Sequence, residues 1–373
     1  MNVSEFNFDL PDELVAQHAP PRGTSRLLLL DRATAERRHA TIADLPSILV
    51  PGDVLVVNNT RVIAARLMGH RIPSGGTVEC LLLGPTRSAG PAESAFAASS
   101  TTGLSTSGNG PADVRLADAL MHPGQKLKPG AQVRFEGRAG VLLCDVLARH
   151  FHGRRTIRLW VEAGGDVDAM VDALGHVPLP PYIKRADSDE DRERYQTVFA
   201  RVRGSVAAPT AGLHFTPDIL AALDDRGVER IEVTLHVGYG TFKPVRAARV
   251  EDHLVDPERY EISEDAASAI ARAKQDGRRV IAVGTTTTRA LEDAATRGGG
   301  CVAAGTGTAA LFIYPGYRFR VVDGLLTNFH LPASSLLMLV SAFAGKDRIL
   351  AAYREAVEMR YRFYSYGDAM LIV

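Results

Sequence analysis

Three cysteines, Cys80, Cys144 and Cys301, are all that this chain of 373 residues contains, and they are far apart, odd in number and without a CxxC pair. That scarcity argues against a disulfide framework and against a zinc site, and it fits a reducing cytoplasm. An excess of one charge is also missing. Lys plus Arg and Asp plus Glu are 43 each, so no global positive field exists and any polyanion must be met by a local basic surface. The longest apolar run, near Leu336 to Ala344, is too short to cross a bilayer, and no basic segment followed by an apolar stretch opens the N-terminus. A cytoplasmic protein, neither secreted nor membrane-bound, is expected. Neither Gly238-Tyr239-Gly240 nor Gly305-Thr306-Gly307 completes GxGxxG, and the loop after Gly284 lacks a GK pair, so neither a dinucleotide cofactor nor a Walker loop is supported.

What is present is organised in two styles. The length predicts two domains with ample core. Pro11 to Gln17 reads as a short helix, and Leu27 to Asp31 and Val54 to Asn58 as strands. From Arg66 to about Leu159 short alternating segments, RLMGHRI, TVECLLL, AQVRFEG, AGVLLCDVL and RTIRLWVE, predict a small β-barrel. Thr86 to Ala112, rich in Ser, Gly, Thr, Ala and Pro, reads as a flexible surface insertion within it. From Asp166 onward, strands at Ile231 to Leu235 and Val280 to Val283 alternate with helices at Glu264 to Gln275, Arg289 to Thr296 and Asp347 to Met359. That alternation predicts an α/β fold, with a mixed or parallel sheet covered by helices.

The densest run is His176 to Phe215, HVPLPPYIKRADSDEDRERYQTVFARVRGSVAAPTAGLHF, which packs Pro, Gly, His, basic and aromatic residues with almost no amphipathic period. It fits neither a core element nor a disordered linker, and reads as ordered loops lining a site. Further blocks are FDLPDELVAQHAPPRGTSRLLLLDR, GDVLVVNNTRVIAARLMG, HVGYGTFKPV, VIAVGTTTTRALE, FIYPGY, VVDGLLTNFHLPASSLLMLVSAFAG and YRFYSYGDAMLI. In their order along nearly the whole chain, these blocks resemble the S-adenosylmethionine:tRNA ribosyltransferase-isomerases of queuosine biosynthesis. The resemblance implies one α/β domain formed by both chain ends, residues 1–65 and 160–373, with a β-barrel inserted at 66–159. It implies transfer and isomerisation of the ribosyl part of S-adenosylmethionine onto 7-aminomethyl-7-deazaguanine at the tRNA wobble position, giving epoxyqueuosine-tRNA, adenine and methionine. S-adenosylmethionine is then a co-substrate, tRNA the partner, and no permanently bound cofactor, metal or membrane is involved.

Such chemistry opens with removal of a ribose C5′ proton, acidified by the adjacent sulfonium, and histidine is the side chain suited to it near neutral pH. His214 in PTAGLHF, His236 at the end of IEVTLH and His330 in TNFHLP are the catalytic candidates. For each one taken singly, a core imidazole with both nitrogens satisfied is the commoner fate. For substrate binding, Thr285 and Thr286 precede a helix expected to begin near Arg289, whose unpaired backbone donors can face an anion; equally, a threonine there can simply cap the helix. Gly238 and Gly240 form a turn suited to close approach of a ligand, or a tight hairpin. Basic and aromatic groups that suit splayed anticodon bases and phosphates are Arg61, Tyr182, Lys184 and Arg185, with Arg22, Arg26 and the Arg360 to Tyr364 cluster beside them. The aromatics of that last cluster are expected in the core, and the acidic run Asp187 to Glu193 as a solvated loop. The resembling blocks add Thr210 and Asn328. In EDHLVDPERYEI, Asp256 stands where the family commonly has a second histidine, so His253 and Glu258 are expected to fix the loop or contact substrate, not to supply the base. The alternative readings are an S-adenosylmethionine-dependent RNA methyltransferase and a non-catalytic RNA-binding protein, and product analysis separates them.

Overall fold

The computed structural model describes residues 1–90 and 113–373, so most of the expected insertion at 86–112 lies outside the described residues. VLVVN, VIAV, GLLTN and AMLI are short, almost wholly apolar runs with every position buried, the pattern of strands covered on both faces. They form the middle of a nine-stranded mixed sheet. Its order is Gly305–Ala309, Glu258–Ile262, Glu229–Leu235, Val54–Asn58, Val280–Val283, Gly324–Asn328, Ala369–Ile372, Arg26–Leu30 and Arg37–Thr41. Glu229–Leu235 through Gly324–Asn328 run parallel, and Ala369–Ile372 is antiparallel to Gly324–Asn328.

Side chains alternate between the two faces. Val54, Val56, Val280 and Ala282 point to one face, where Ile270, Leu291, Val340 and Ala352 bring in the helices Glu264–Gln275, Thr285–Arg297, Ser335–Ala344 and Lys346–Glu358. Leu55, Val57, Ile281 and Val283 point to the other, against Leu45, Ile219 and Leu223. The apolar run near Leu336 is therefore a buried helix.

Arg66–Ile72, Thr77–Leu82, Val114–His122, Gln132–Gly137, Gly140–Arg149 and Arg154–Val161 pair in a ring, closed by Arg154–Val161 against Val114–His122. Closure removes the sheet edges. Every second residue turns inward, including Cys80, Met121, Phe135, Cys144 and Leu159. Burial pushes the Cys80 thiol up to about 12 and raises Cys144 as well, so both stay protonated; all three cysteines are free.

The helix Val167–Leu174 packs on the barrel through Val167 and Val171, and Arg203 ties it to the linker strand Val202–Ser205 through Asp168 and Asp172. Thr60–Val62 runs parallel to that linker strand, so entry into the barrel and return from it lie side by side. Gly175 sits at the crossing. A Cβ there would lie 1.9 Å from the Ala64 carbonyl oxygen.

Two local expectations fail. Pro11 to Gln17 forms only a 3-10 turn, Asp12–Leu14, because Val15 becomes extended and bridges Phe363. The acidic run is not a solvated loop: Asp189–Arg194 is helical, capped by Ser188, and Asp191 is buried under Arg185 and Tyr366. The aromatics Tyr361, Phe363 and Tyr364 do lie in the core.

Gly175→Ala is expected to lower stability by about 1–3 kcal/mol or more through overpacking against backbone. Gly84→Ala, with open space at its Cβ, is the control. Thermal melts of the two variants check this, and equal melting temperatures would contradict it.

Candidate functional site

A cavity opens at the carboxyl edge of the parallel strands, where Gly284 follows Val283 and Asn328 ends its own strand. Ligands of open α/β sheets bind at this edge. The wall is completed by Ala208 to Ala211, by Val237 and Thr241, by Leu331 and Ser334, and by Tyr182, Tyr364 and Ser365. No Asp, Glu, Lys or Arg is among the lining residues; hydroxyls, one amide and one imidazole supply the polarity.

One side of the cavity is a helix N-terminus. Gly284 adopts φ +96, and the helix starts at Thr285 rather than near Arg289. The four threonines are helical because their hydroxyls can fold back on the preceding turn. Thr287 donates to the Val283 carbonyl at 2.8 Å and Thr288 to that of Gly284 at 3.1 Å. Thr285 and Thr286 line the cavity, and backbone N–H groups in the first turn of a helix have no intrahelical acceptor. No threonine caps the helix: the N-cap is Gly284, without a side-chain cap bond, and the hydroxyls of Thr287 and Thr288 brace the first turn instead.

On the other side stands Asn328, 3 % exposed. Its Nδ2 donates to the Tyr364 carbonyl at 3.0 Å and faces His214 Nε2 at 3.2 Å, while its Oδ1 is buried without a hydrogen-bond partner. Tyr364, in the left-handed region at φ +73, stacks its ring on Tyr182 at 4.4 Å, and its hydroxyl is likewise buried and unpartnered. Strained backbone and orphaned polar atoms are costly, and their coincidence in one cavity marks a place shaped for a ligand.

The three candidate histidines separate. His330 lines the cavity; its Nε2 meets Thr327 Oγ1 at 2.8 Å, and burial pushes its pKa down to about 3. With Nε2–H donating to Thr327, the Nδ1 lone pair is left to accept a proton. His214 lies outside this cavity, lines a small neighbouring one, and is held by Ser25 at 2.9 Å and Asn328. Burial lowers its pKa to about 4, so it is a neutral brace for Asn328. His236 contacts Thr60 Oγ1 at 2.8 Å and packs on Gly204, away from the cavity wall.

Among the other candidates, Tyr182, Thr210, Thr285, Thr286 and Asn328 line the cavity. Gly238 and Gly240 belong to the turn that presents Thr241. That turn is held by Glu258, which accepts from Gly238 N at 2.9 Å and Thr241 Oγ1 at 3.2 Å. Arg289 does not face the cavity. Its guanidinium pairs with Glu258 at 2.8 Å and donates to the carbonyls of Leu311 and Ala309. Burial nevertheless leaves the Glu258 carboxyl above its ordinary pKa, and Arg289 opposes that rise. Asp256 bonds to Lys243 at 2.5 Å and His253 packs edge-on against Phe312. Arg185 is spent on a bidentate pair with Asp191, whose pKa is held well below the usual carboxylate range despite burial. Lys184 and Arg61 are exposed, Lys184 lying 3.3 Å from Asp12. Ser25, Thr327 and Ser365 were not singled out from the sequence; each lies inside one of the quoted blocks, as a small hydroxyl with no periodic signal of its own.

Among the described residues no group of His, Cys, Asp or Glu is arranged to hold a metal, and no helix is long and apolar enough to cross a membrane. Fold and cavity together define a two-lobed α/β protein with an uncharged, ligand-ready pocket at the sheet's carboxyl edge. The family model described as "Queuosine biosynthesis protein" matches residues 3–372, and this chain belongs to that family. Relatives named S-adenosylmethionine:tRNA ribosyltransferase-isomerase are similar over their full lengths. That of Heliobacterium modesticaldum is 49% identical, covering 100% of both chains, and that of Anaeromyxobacter sp. is 51% identical, covering 100% of this chain and 99% of its own. A crystal structure of S-adenosylmethionine tRNA ribosyltransferase from Thermotoga maritima is similar with TM-score 0.52 and 33% identity, over 99% of this chain and 100% of that one.

Arg289→Ala is expected to cost about 3–5 kcal/mol, because it leaves the Glu258 carboxylate buried and unpaired. Adding Glu258→Gln should restore part of the loss in chemical denaturation, and a single variant as stable as the parent would refute the brace.

The buried histidines set an acid limit. The unfolded chain takes up their protons near pH 6.5, whereas the folded chain refuses them down to about 4 at His214 and about 3 at His330. Stability is therefore full above pH 6.5 and is lost as pH falls through that window. Melting temperatures between pH 7.5 and 4.5 should decline, less steeply in His330→Gln, and an identical slope in that variant would contradict the assignment.

Proposed function

We propose that this chain is an S-adenosylmethionine:tRNA ribosyltransferase-isomerase acting on tRNA that carries 7-aminomethyl-7-deazaguanine at the wobble position, and that the carboxyl-edge cavity is its co-substrate site. The observation that carries the reading is the cavity itself, with a helix N-terminus on one wall and the orphaned Asn328 Oδ1 and Tyr364 hydroxyl on another. The open N–H groups of Thr285 and Thr286 suit the methionine carboxylate. Asn328 Oδ1, a pure acceptor, suits an amino group or a ribose hydroxyl. With no carboxylate among the lining residues, the sulfonium keeps its full acidifying effect on C5′.

In this reading His330 Nδ1 takes the C5′ proton. Its pKa, pushed down to about 3, keeps the imidazole neutral and ready at physiological pH, at the cost of basicity that the acidified carbon offsets. His214 acts through Asn328 as a positioning residue. The ribosyl unit ends on the aminomethyl nitrogen of the base, and adenine and methionine leave. S-adenosylmethionine is consumed as co-substrate, no resident cofactor or metal is required by these steps, and a tRNA substrate fits a cytoplasmic protein.

Incubation with S-adenosylmethionine and the modified tRNA should release adenine and methionine. S-adenosylhomocysteine instead would make the protein a methyltransferase. In single turnover, His330→Ala should fall by about a hundredfold or more, the loss expected for a general base. Asp256→Asn should keep most of the rate, since its carboxylate faces Lys243. A collapse in Asp256→Asn with unchanged affinities would move the base to that loop.

A further inference from the structure

The far end of the barrel is unlike the rest of this charge-balanced chain. Strand direction puts three connections there, residues 70–76, 122–131 and 149–155, opposite the end where the chain enters at Arg66 and leaves at Val161. These connections contain Arg71, Lys126, Lys128, Arg149, Arg154 and Arg155, with His70, His122, His150 and His152, and no Asp or Glu. Among the described residues none of the six cations forms an ion pair. Arg71 bonds to Ser74 and the Lys126 carbonyl, and Arg155, buried, donates to the carbonyls of Leu127, Arg154 and Gly124, clamping two of the loops together. Burial, then the like charge of Arg149, lowers the Arg155 pKa. The carboxylates bordering these connections are engaged elsewhere: Asp118 accepts from Thr156, which contacts His150, and Glu79, beside Arg71 and Lys126, pairs with Arg66.

At the tip of the third connection, Phe151 is 87% exposed, second only to Leu254 at 88% among the large hydrophobic side chains of the described residues. His152 follows it at φ +54, which turns the tip outward between Arg149 and Arg154. The same loops frame a shallow depression lined by Gln125, Arg149, His150, Phe151 and His152. An aromatic ring standing free among unpaired cations suits a single-stranded or splayed base flanked by phosphates.

Geometry excludes the small co-substrate as its occupant. The barrel's inner end adjoins the cavity, since Val206 and Tyr239 pack on the barrel core next to the cavity residues Ala208 and Val237. Its strands run six to ten residues, so at about 3.3 Å per residue the tip stands on the order of 20 Å away. Only an extended ligand spans both.

We infer that the far end of the barrel is a second tRNA-docking surface, on which Phe151 stacks against a nucleotide outside the reacting one while Arg149, Arg154 and Lys126 neutralise phosphates. This rests on tRNA being the substrate.

The test uses the full-length protein and intact tRNA in equilibrium binding between 50 and 200 mM salt, conditions over which a few phosphate contacts change affinity strongly. Phe151→Ala should weaken tRNA binding by about tenfold, and Arg149→Gln with Arg154→Gln should flatten the log-log salt slope by about 0.7–0.9 for each phosphate no longer neutralised. S-adenosylmethionine affinity and melting temperature should not move, and Phe151→Trp should restore binding. Unchanged tRNA affinity and slope in folded variants would overturn the inference. So would Phe151-dependent binding to phosphatidylserine vesicles with no effect on tRNA, which would make the surface a membrane contact. Binding needs no turnover, so a wild-type protein that binds tRNA through this surface yet releases no adenine would refute the proposed reaction and leave the docking surface standing.

Discussion

The cavity depends on the single amide of Asn328. It ends a central strand, and its Nδ2 reaches the 3-10 turn Thr210–His214 through His214 and the C-terminal segment through the Tyr364 carbonyl. Three segments distant in sequence are thereby set around one point. A buried amide with both donors engaged and its acceptor open has a defined orientation, since flipping it would set oxygen against the Tyr364 carbonyl. The same bond helps hold Tyr364 at its positive φ, so backbone strain is balanced by an interaction at the same place. His214 belongs to this support. Placed outside the cavity and neutral by burial, it aims the amide.

A second buried polar contact does the equivalent work on the opposite wall. Glu258 gathers Gly238, Thr241 and Arg289, joining the glycine turn to the helix whose N-terminus opens on the cavity. Arg289 lies one turn beyond Thr285, and from there its guanidinium points to the Leu311 and Ala309 carbonyls on neighbouring chain. An ion pair of this kind contributes little net stability, but its geometry is exacting, and it fixes where the free N–H groups point. Asp256 in place of a second histidine is accommodated in the same loop by Lys243, a surface contact that leaves the Glu258 arrangement intact.

The large features were legible in the sequence, for a physical reason. The apolar runs at Val54 and Val280 and the alternating barrel segments carry their periods locally, and each appears as a strand at the expected place. Where tertiary contacts override local pattern, the reading failed. The helix was expected near Arg289 but begins at Thr285, where the hydroxyls of Thr287 and Thr288 bond to carbonyls of the preceding turn. The run Asp187 to Glu193 looks solvated until Arg185 and Tyr366 enclose Asp191. Arg185 and Arg289 read as ligand contacts because residue type gives no sign of whether a guanidinium faces a cavity or a buried carboxylate. The histidines were equally undetermined, since spacing does not show which nitrogen has a partner.

Charge balance over the whole chain also concealed the distribution that matters for a polyanion. Forty-three charges of each sign give no net field, yet many carboxylates of the α/β part are matched to neighbouring cations, as at Asp53 with Arg279 and Asp368 with Arg362. Pairing cancels their reach at distances beyond the Debye length. Six cations that form no ion pair among the described residues stand together at the barrel's far end, where three short connections contain no acid. Such a field acts on a ligand long enough to pass from there to the cavity and, screened over a Debye length of about 10 Å, reaches a small ligand inside the cavity only weakly. Affinity for a polyanion can thus be set at the barrel independently of the cavity, whose lining residues include no Asp, Glu, Lys or Arg.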